Sequence, residues 1–166
     1  TAGLRCSHRQ RLRSPSRSQG TRLRNVERVL SGLKSPSLMQ LRDLKEGRQD
    51  SWLVSDRVLG LELLAWWSQL PLSRSDGFSV RWGHIAPLLH SVLEGIELLH
   101  RSELAHLDLM PANLRVASLG RAVLVDIGFG EPDESSQPVL RGRPSGYEAP
   151  ELLAGGAVSK ASDLWS

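Results

Sequence analysis

The residues best equipped for chemistry sit in one short stretch, His106-Leu107-Asp108-Leu109-Met110-Pro111-Ala112-Asn113, followed closely by Val125-Asp126-Ile127-Gly128. Asp108 and Asn113 lie five positions apart, and Asp126 follows a short apolar run after a turn, so strand pairing could bring all three to one point. Two carboxylates and one amide make a hard-cation site, because Mg²⁺ takes oxygen ligands and keeps room for water and phosphate oxygens. In such a site Asn113 and Asp126 would suit the metal, while Asp108 would orient a nucleophile. Taken singly, each residue is more often a cap or turn former than a ligand.

The elements that must position these residues can be read from periodicity. Residues 114–116 and 122–125 are short apolar runs that read as strands beside the polar residues. Ahead of them Ile85, Leu88, Leu89, Val92, Leu93, Ile96 and Leu99 recur at three- and four-residue spacing, one face of a helix of about five turns. Further upstream Val26, Val29, Leu30 and Leu33 form a shorter helical pattern, which the proline of Lys34-Ser35-Pro36-Ser37 stops. Residues 38–44 and 52–58 then read as strands around a polar turn, and residues 60–67 as the start of a helix. Residues 71–77 and 128–145 are polar, turn-rich loops. The five tryptophans are not spaced as a stacking ladder and read as core or contact residues.

Composition bounds the function classes. With 166 residues, 40% hydrophobic and 23% charged, the chain is one ordinary globular unit. One cysteine, Cys6, excludes an internal disulfide framework, and no Cys/His set has zinc-ligand spacing. No apolar run reaches membrane-spanning length, and the start Thr1-Ala2-Gly3 has neither an initiator methionine nor an apolar leader. A soluble intracellular protein, cytoplasmic or nuclear, is expected, and the chain reads as a piece of something longer. Eight of its 21 basic residues are arginines within the first 28 positions, against the single acid Glu27. Residues 1–24 show no periodicity and read as an unstructured basic arm ahead of a mildly acidic body at 25–166.

The order of several motifs resembles the protein kinase family. His106 to Asn113 is similar to the catalytic loop H-R-D-L-K-P-x-N, and Asp126-Ile127-Gly128 to D-F-G. Ala149-Pro150-Glu151 matches A-P-E, and Ser162-Asp163-Leu164-Trp165-Ser166 resembles the S-D-V-W-S helix start. Upstream, residues 33–41 resemble the family's L-x-H-P-N-I-V-x-L connection. The resemblance implies an α+β, protein-kinase-like fold in truncated form: the end of a small lobe, a hinge, and the first half of a mainly helical large lobe. It implies ATP-dependent phosphoryl transfer to a protein serine or threonine, with ATP and Mg²⁺ as cofactors. Asp108 would be the catalytic base, and Asn113 and Asp126 would hold Mg²⁺ against the phosphates. Ser55 falls at the gatekeeper position, so Asp56, Arg57 and Val58 would line the hinge, and Glu62 would contact ribose, though it reads as well as a helix-start acid favoured by the dipole. Asp163 would brace the catalytic loop, and the partner of Glu151 is expected beyond Ser166. Gly146-Tyr147-Glu148-Ala149-Pro150-Glu151 and the retained Pro111 are of the Ser/Thr type. Ser135, Ser136 and Ser145 fall in the activation segment, near Arg141 and Arg143.

The departures are specific. Leu107 replaces the arginine of H-R-D, Met110 the loop lysine, and Ile127 the phenylalanine of D-F-G. Residues 1–24 contain neither a lysine nor G-x-G, so the nucleotide lid and the strand lysine are missing from them. Counting back from Pro36 without a gap puts Val26 at the helix-glutamate position, and a one-residue slip would put Glu27 there. Two other readings follow: a catalytically inactive pseudokinase or scaffold, and a nucleic-acid binder using the basic arm, which lacks any aromatic residue to stack on a base. Nucleic acid and membrane are not the expected partners; a protein substrate is.

Overall fold

The computed structural model describes residues 7–13, 17–47, 50–71, 77–117, 120–127 and 146–166. Strand β1 (Ser7–Arg13), helix α1 (Arg17–Gly32), β2 (Leu41–Glu46) and β3 (Asp50–Asp56) come first. They form an antiparallel sheet in the order β1-β3-β2, against which α1 packs. On α1, Val26 and Leu30 stand four apart on one face and are buried in the core. The helix ends at Gly32, ahead of Pro36, and the Leu33 amide closes its last turn on the Leu30 carbonyl at 3.2 Å.

The second half holds β4 (Leu61–Glu62), α2 (Leu63–Ser68), the long α3 (Phe78–Arg101), a 3₁₀ turn (Pro111–Asn113), β5 (Leu114–Val116), β6 (Ala122–Leu124), α4 (Pro150–Leu153) and α5 (Lys160–Trp165). Strands β4, β5 and β6 make a small antiparallel sheet in that order. On α3, Leu88, Ile96 and Leu99 are buried as the periodicity requires, while Leu89 and Leu93 at the margin of the apolar stripe are exposed.

One core joins the halves. Val26 and Leu30 of α1, Leu41 and Leu53 of the first sheet, Ile96 and Leu99 of α3, and Leu124, Val125 and Ile127 belong to a single apolar cluster. The join is also stitched by backbone: the Met39 amide donates to Leu124 O, and the Leu124 amide to Ser37 O, both at 2.9 Å. Helix α3 reaches this seam through Gly95. A Cβ there would lie 2.6 Å from Leu124 Cδ1 and 2.9 Å from the Ser37 carbonyl oxygen. Only glycine permits that approach.

One expectation is corrected. Residues 7–13 and 17–24 are not an unstructured arm, since they form β1, paired with β3 over its whole length, and the first half of α1. A strand completed by a neighbour's hydrogen bonds needs no apolar alternation of its own, which is why periodicity missed it. The five tryptophans, expected as core or lobe-contact residues, differ in burial. Trp66 and Trp67 are half-buried, with Trp66 against the Leu88 cluster, whereas Trp52, Trp82 and Trp165 are exposed. Among the described residues no helix is long and apolar enough to cross a membrane.

Candidate active site

The catalytic-loop segment is held from α5. Ser159 and Ser162 form a capping box that starts this helix and sets Asp163 in its first turn. The Asp163 side chain is wholly buried. Its Oδ2 accepts the His106 amide at 2.8 Å and its Oδ1 the Leu107 amide at 2.7 Å. His100 of α3 approaches Oδ2 through Nε2 at 2.8 Å. A buried carboxylate is tolerable when donors satisfy it on several sides, and here they tie α5, α3 and the loop together. The loop so held is kinked, with Leu107 at φ 61, a region uncommon outside glycine. His106 is fully buried, and the Asp108 amide donates to its Nδ1 at 3.4 Å. Burial pushes the imidazole below its usual range, against the opposing pull of Asp163 and Asp108, so the ring is a neutral structural member.

Asp108 and Asn113 meet directly. The 3₁₀ turn opens with Pro111, where no amide hydrogen is needed, and closes with the Asn113 amide on Met110 O at 2.9 Å. This brings Asn113 Nδ2 back to donate to the Asp108 carbonyl at 2.7 Å and to Asp108 Oδ2 at 2.9 Å. Both amide hydrogens are thereby committed, leaving Oδ1 as the atom able to face a cation. The β5–β6 register sets Leu114 opposite Leu124, and the Val125 amide donates to Asn113 O at 3.0 Å. Asp126 is the next residue, at φ 54, with Ile127 buried behind it. A non-glycine residue in this conformation is a local cost of the kind found at functional sites. Strand pairing therefore brings the three polar residues into one neighbourhood.

Among the described residues no group of three or more His, Cys, Asp and Glu side chains is placed to hold a metal. The donor set available is one amide oxygen and one carboxylate. That fits Mg²⁺, which keeps most of its positions for water and phosphate, and would not suit a thiolate- or imidazole-seeking metal.

The hinge residues are more committed than their sequence suggests. The Asp56 amide donates to Gln40 O at 2.9 Å. The Asp56 carboxylate takes a two-pronged contact from Arg42, with Nε to Oδ1 at 2.8 Å and Nη2 to Oδ2. The carboxylate in turn raises the Arg42 guanidinium's pKa. Val58 packs at the edge of the core, and Glu62 faces Arg115 across β4 and β5, Nη2 to Oε1 at 3.3 Å. Arg42, Arg115 and His100 were not singled out from sequence, because cross-strand register and helix-to-helix contact decide their roles.

Val26 occupies the inward position on α1, 3% exposed in the core, and Glu27 lies half-buried one residue round the helix. Within the chain, Ser162 Oγ donates to Glu151 Oε1 at 2.7 Å and holds the carboxyl below the usual range. Ser135, Ser136, Ser145, Arg141 and Arg143 lie outside the described residues.

The family model for the protein kinase domain matches residues 9–166. The serine/threonine-protein kinase 17A of Oryctolagus cuniculus is 30% identical over 137 residues, covering 80% of this chain and 33% of that protein. The calcium/calmodulin-dependent protein kinase type 1 of Macrobrachium nipponense is 29% identical over 147 residues, 87% of this chain and 41% of that protein. A probable serine/threonine-protein kinase, pknA2 of Bifidobacterium longum, aligns along the whole chain at 25% identity and 22% of its own length. The chain spans well under half the length of these relatives.

Proposed function

Because the chain belongs to the protein kinase family, we propose that its parent protein transfers the terminal phosphoryl group of ATP to a serine or threonine of a protein substrate. The observation that carries this reading is the double hydrogen bond from Asn113 to Asp108, next to Asp126. Asp108, steadied by Asn113 through one carboxylate oxygen, would accept the substrate hydroxyl proton with the other. Asn113 Oδ1 and the Asp126 carboxylate would hold Mg²⁺, which when bound neutralises phosphate charge. The hinge at Asp56 and Val58 would meet the base, and Glu62 the ribose. The test is labelled-phosphate transfer from ATP by the full-length parent, comparing wild type with Asp108→Asn. Transfer lost in the variant with ATP binding retained supports the reading; transfer that ignores Asp108 ends it.

A second reading, ATP binding without turnover, is favoured by one observation: the inward position of α1 is the buried apolar Val26. Together with Met110 in place of the loop lysine, this removes one cation and the helix acid from the phosphate end, and β1 carries arginines but no lysine. In that case the parent binds Mg²⁺ and ATP, and no phosphate moves.

A further inference from the structure

Resting on the nucleotide reading above, we propose that Arg115 is a nucleotide-positioning residue, which holds the Glu62 carboxylate where a ribose hydroxyl meets it. Gly60 has φ 153, and a Cβ at this position would collide with the Val116 carbonyl, so only glycine lets the chain after the hinge lie this close to β5. That approach sets the register in which Leu61 faces Val116 and Glu62 faces Arg115.

The faces of β5 then assign direction. Leu114 packs on the main core and Val116 on the Leu88 cluster, so by strand alternation Arg115 points to the other side. There it stands between Glu62 on β4 and Val123 on β6. Glu62 is therefore not a lone flexible acid at the cleft edge. Its Oε1 is held at 3.3 Å by Arg115 Nη2, with the side chains 49% and 33% exposed. An exposed pair of this kind contributes little to folding. It does restrict the rotamers of a long acidic side chain, and a carboxylate engaged through one oxygen keeps lone pairs for a hydroxyl donor.

The experiment compares the binding of ATP and of 2′,3′-dideoxy-ATP, which lacks the ribose hydroxyls, to the full-length parent and its variants by titration calorimetry. Wild type is expected to prefer ATP by about tenfold, the value of one hydrogen bond to a charged acceptor. Arg115→Leu and Glu62→Gln should both bring the ratio close to one while leaving dideoxy-ATP affinity nearly unchanged. Arg115→Lys should keep part of the preference. Thermal unfolding of each variant should match wild type, since the pair is surface-exposed. If Arg115→Leu keeps the full preference, or weakens both nucleotides equally, the proposal is overturned while nucleotide binding stands. If wild type binds neither nucleotide, the nucleotide reading fails and takes this proposal with it.

Discussion

Replacing Asp163 by alanine takes the acceptor away from the buried His106 amide, the part-buried Leu107 amide and His100 at once. Each buried donor left without a partner costs about 1–3 kcal/mol, and breaking a buried charged cluster about 3–5 kcal/mol, so Asp163→Ala should lose about 4 kcal/mol of stability. Asp163→Asn keeps the volume but turns one oxygen into a donor facing a donor, and should lose about half as much. With a urea dependence of about 2 kcal/mol per molar, the alanine variant's unfolding midpoint should fall by about 2 M. Circular dichroism reads the midpoint. Amide hydrogen exchange reads the local effect, because His106 and Leu107 should lose protection ahead of α1. A midpoint within about 0.5 M of wild type, or unchanged exchange at both amides, would refute the claim that α5 holds the catalytic loop through this carboxylate.

Further outcomes follow from other parts of the structure. Gly95→Ala should destabilise by about 1–3 kcal/mol despite alanine's better helix propensity, worth about 1 kcal/mol, because the new Cβ meets the Ser37 backbone, and denaturant unfolding checks the sign. His106, lowered by burial, binds its proton more readily in the unfolded chain. Its contribution is therefore intact above about pH 6.5 and is lost as pH falls below it, at up to about 1.4 kcal/mol per unit, a slope that His106→Gln should flatten. Ser162→Ala should let the Glu151 carboxyl titrate closer to its ordinary value, read by carbon NMR of the side chain. The depressed carboxyl favours the fold above the unfolded value and loses that contribution as pH falls through the folded one, so the variant should be less sensitive in that window.

The parts legible in the sequence were those whose signal is local. Ile96 and Leu99 mark the buried face of α3 by spacing alone, Pro36 marks the end of α1, and the motif run from His106 to Asp163 marks the site. Strand β1 was not legible, because its order comes from the edge of β3 and not from its own residues. The choice between Val26 and Glu27 needed the packing of α1 on the core, which a count of positions cannot supply. The contacts that fix the site from outside, Arg42 on Asp56, Arg115 on Glu62 and His100 on Asp163, join residues far apart in sequence or set by register. The same holds for buried Ser37, whose Oγ donates to Glu94 Oε2 at 3.1 Å beside Arg121, a cluster at the seam of the two halves. Nothing in its neighbours along the chain marks that serine as structural.

The account's central claim is that Asn113 and Asp126 form the Mg²⁺-dependent end of an ATP site. Calorimetric titration of ATP into the full-length parent, with and without Mg²⁺, tests it most directly when repeated on Asp126→Asn. The expected result is ATP affinity that rises about tenfold or more with Mg²⁺ in wild type, and a rise that disappears in the variant while metal-free binding persists. ATP affinity indifferent to Mg²⁺, or a Mg²⁺ effect that survives the loss of the Asp126 carboxylate, would contradict it.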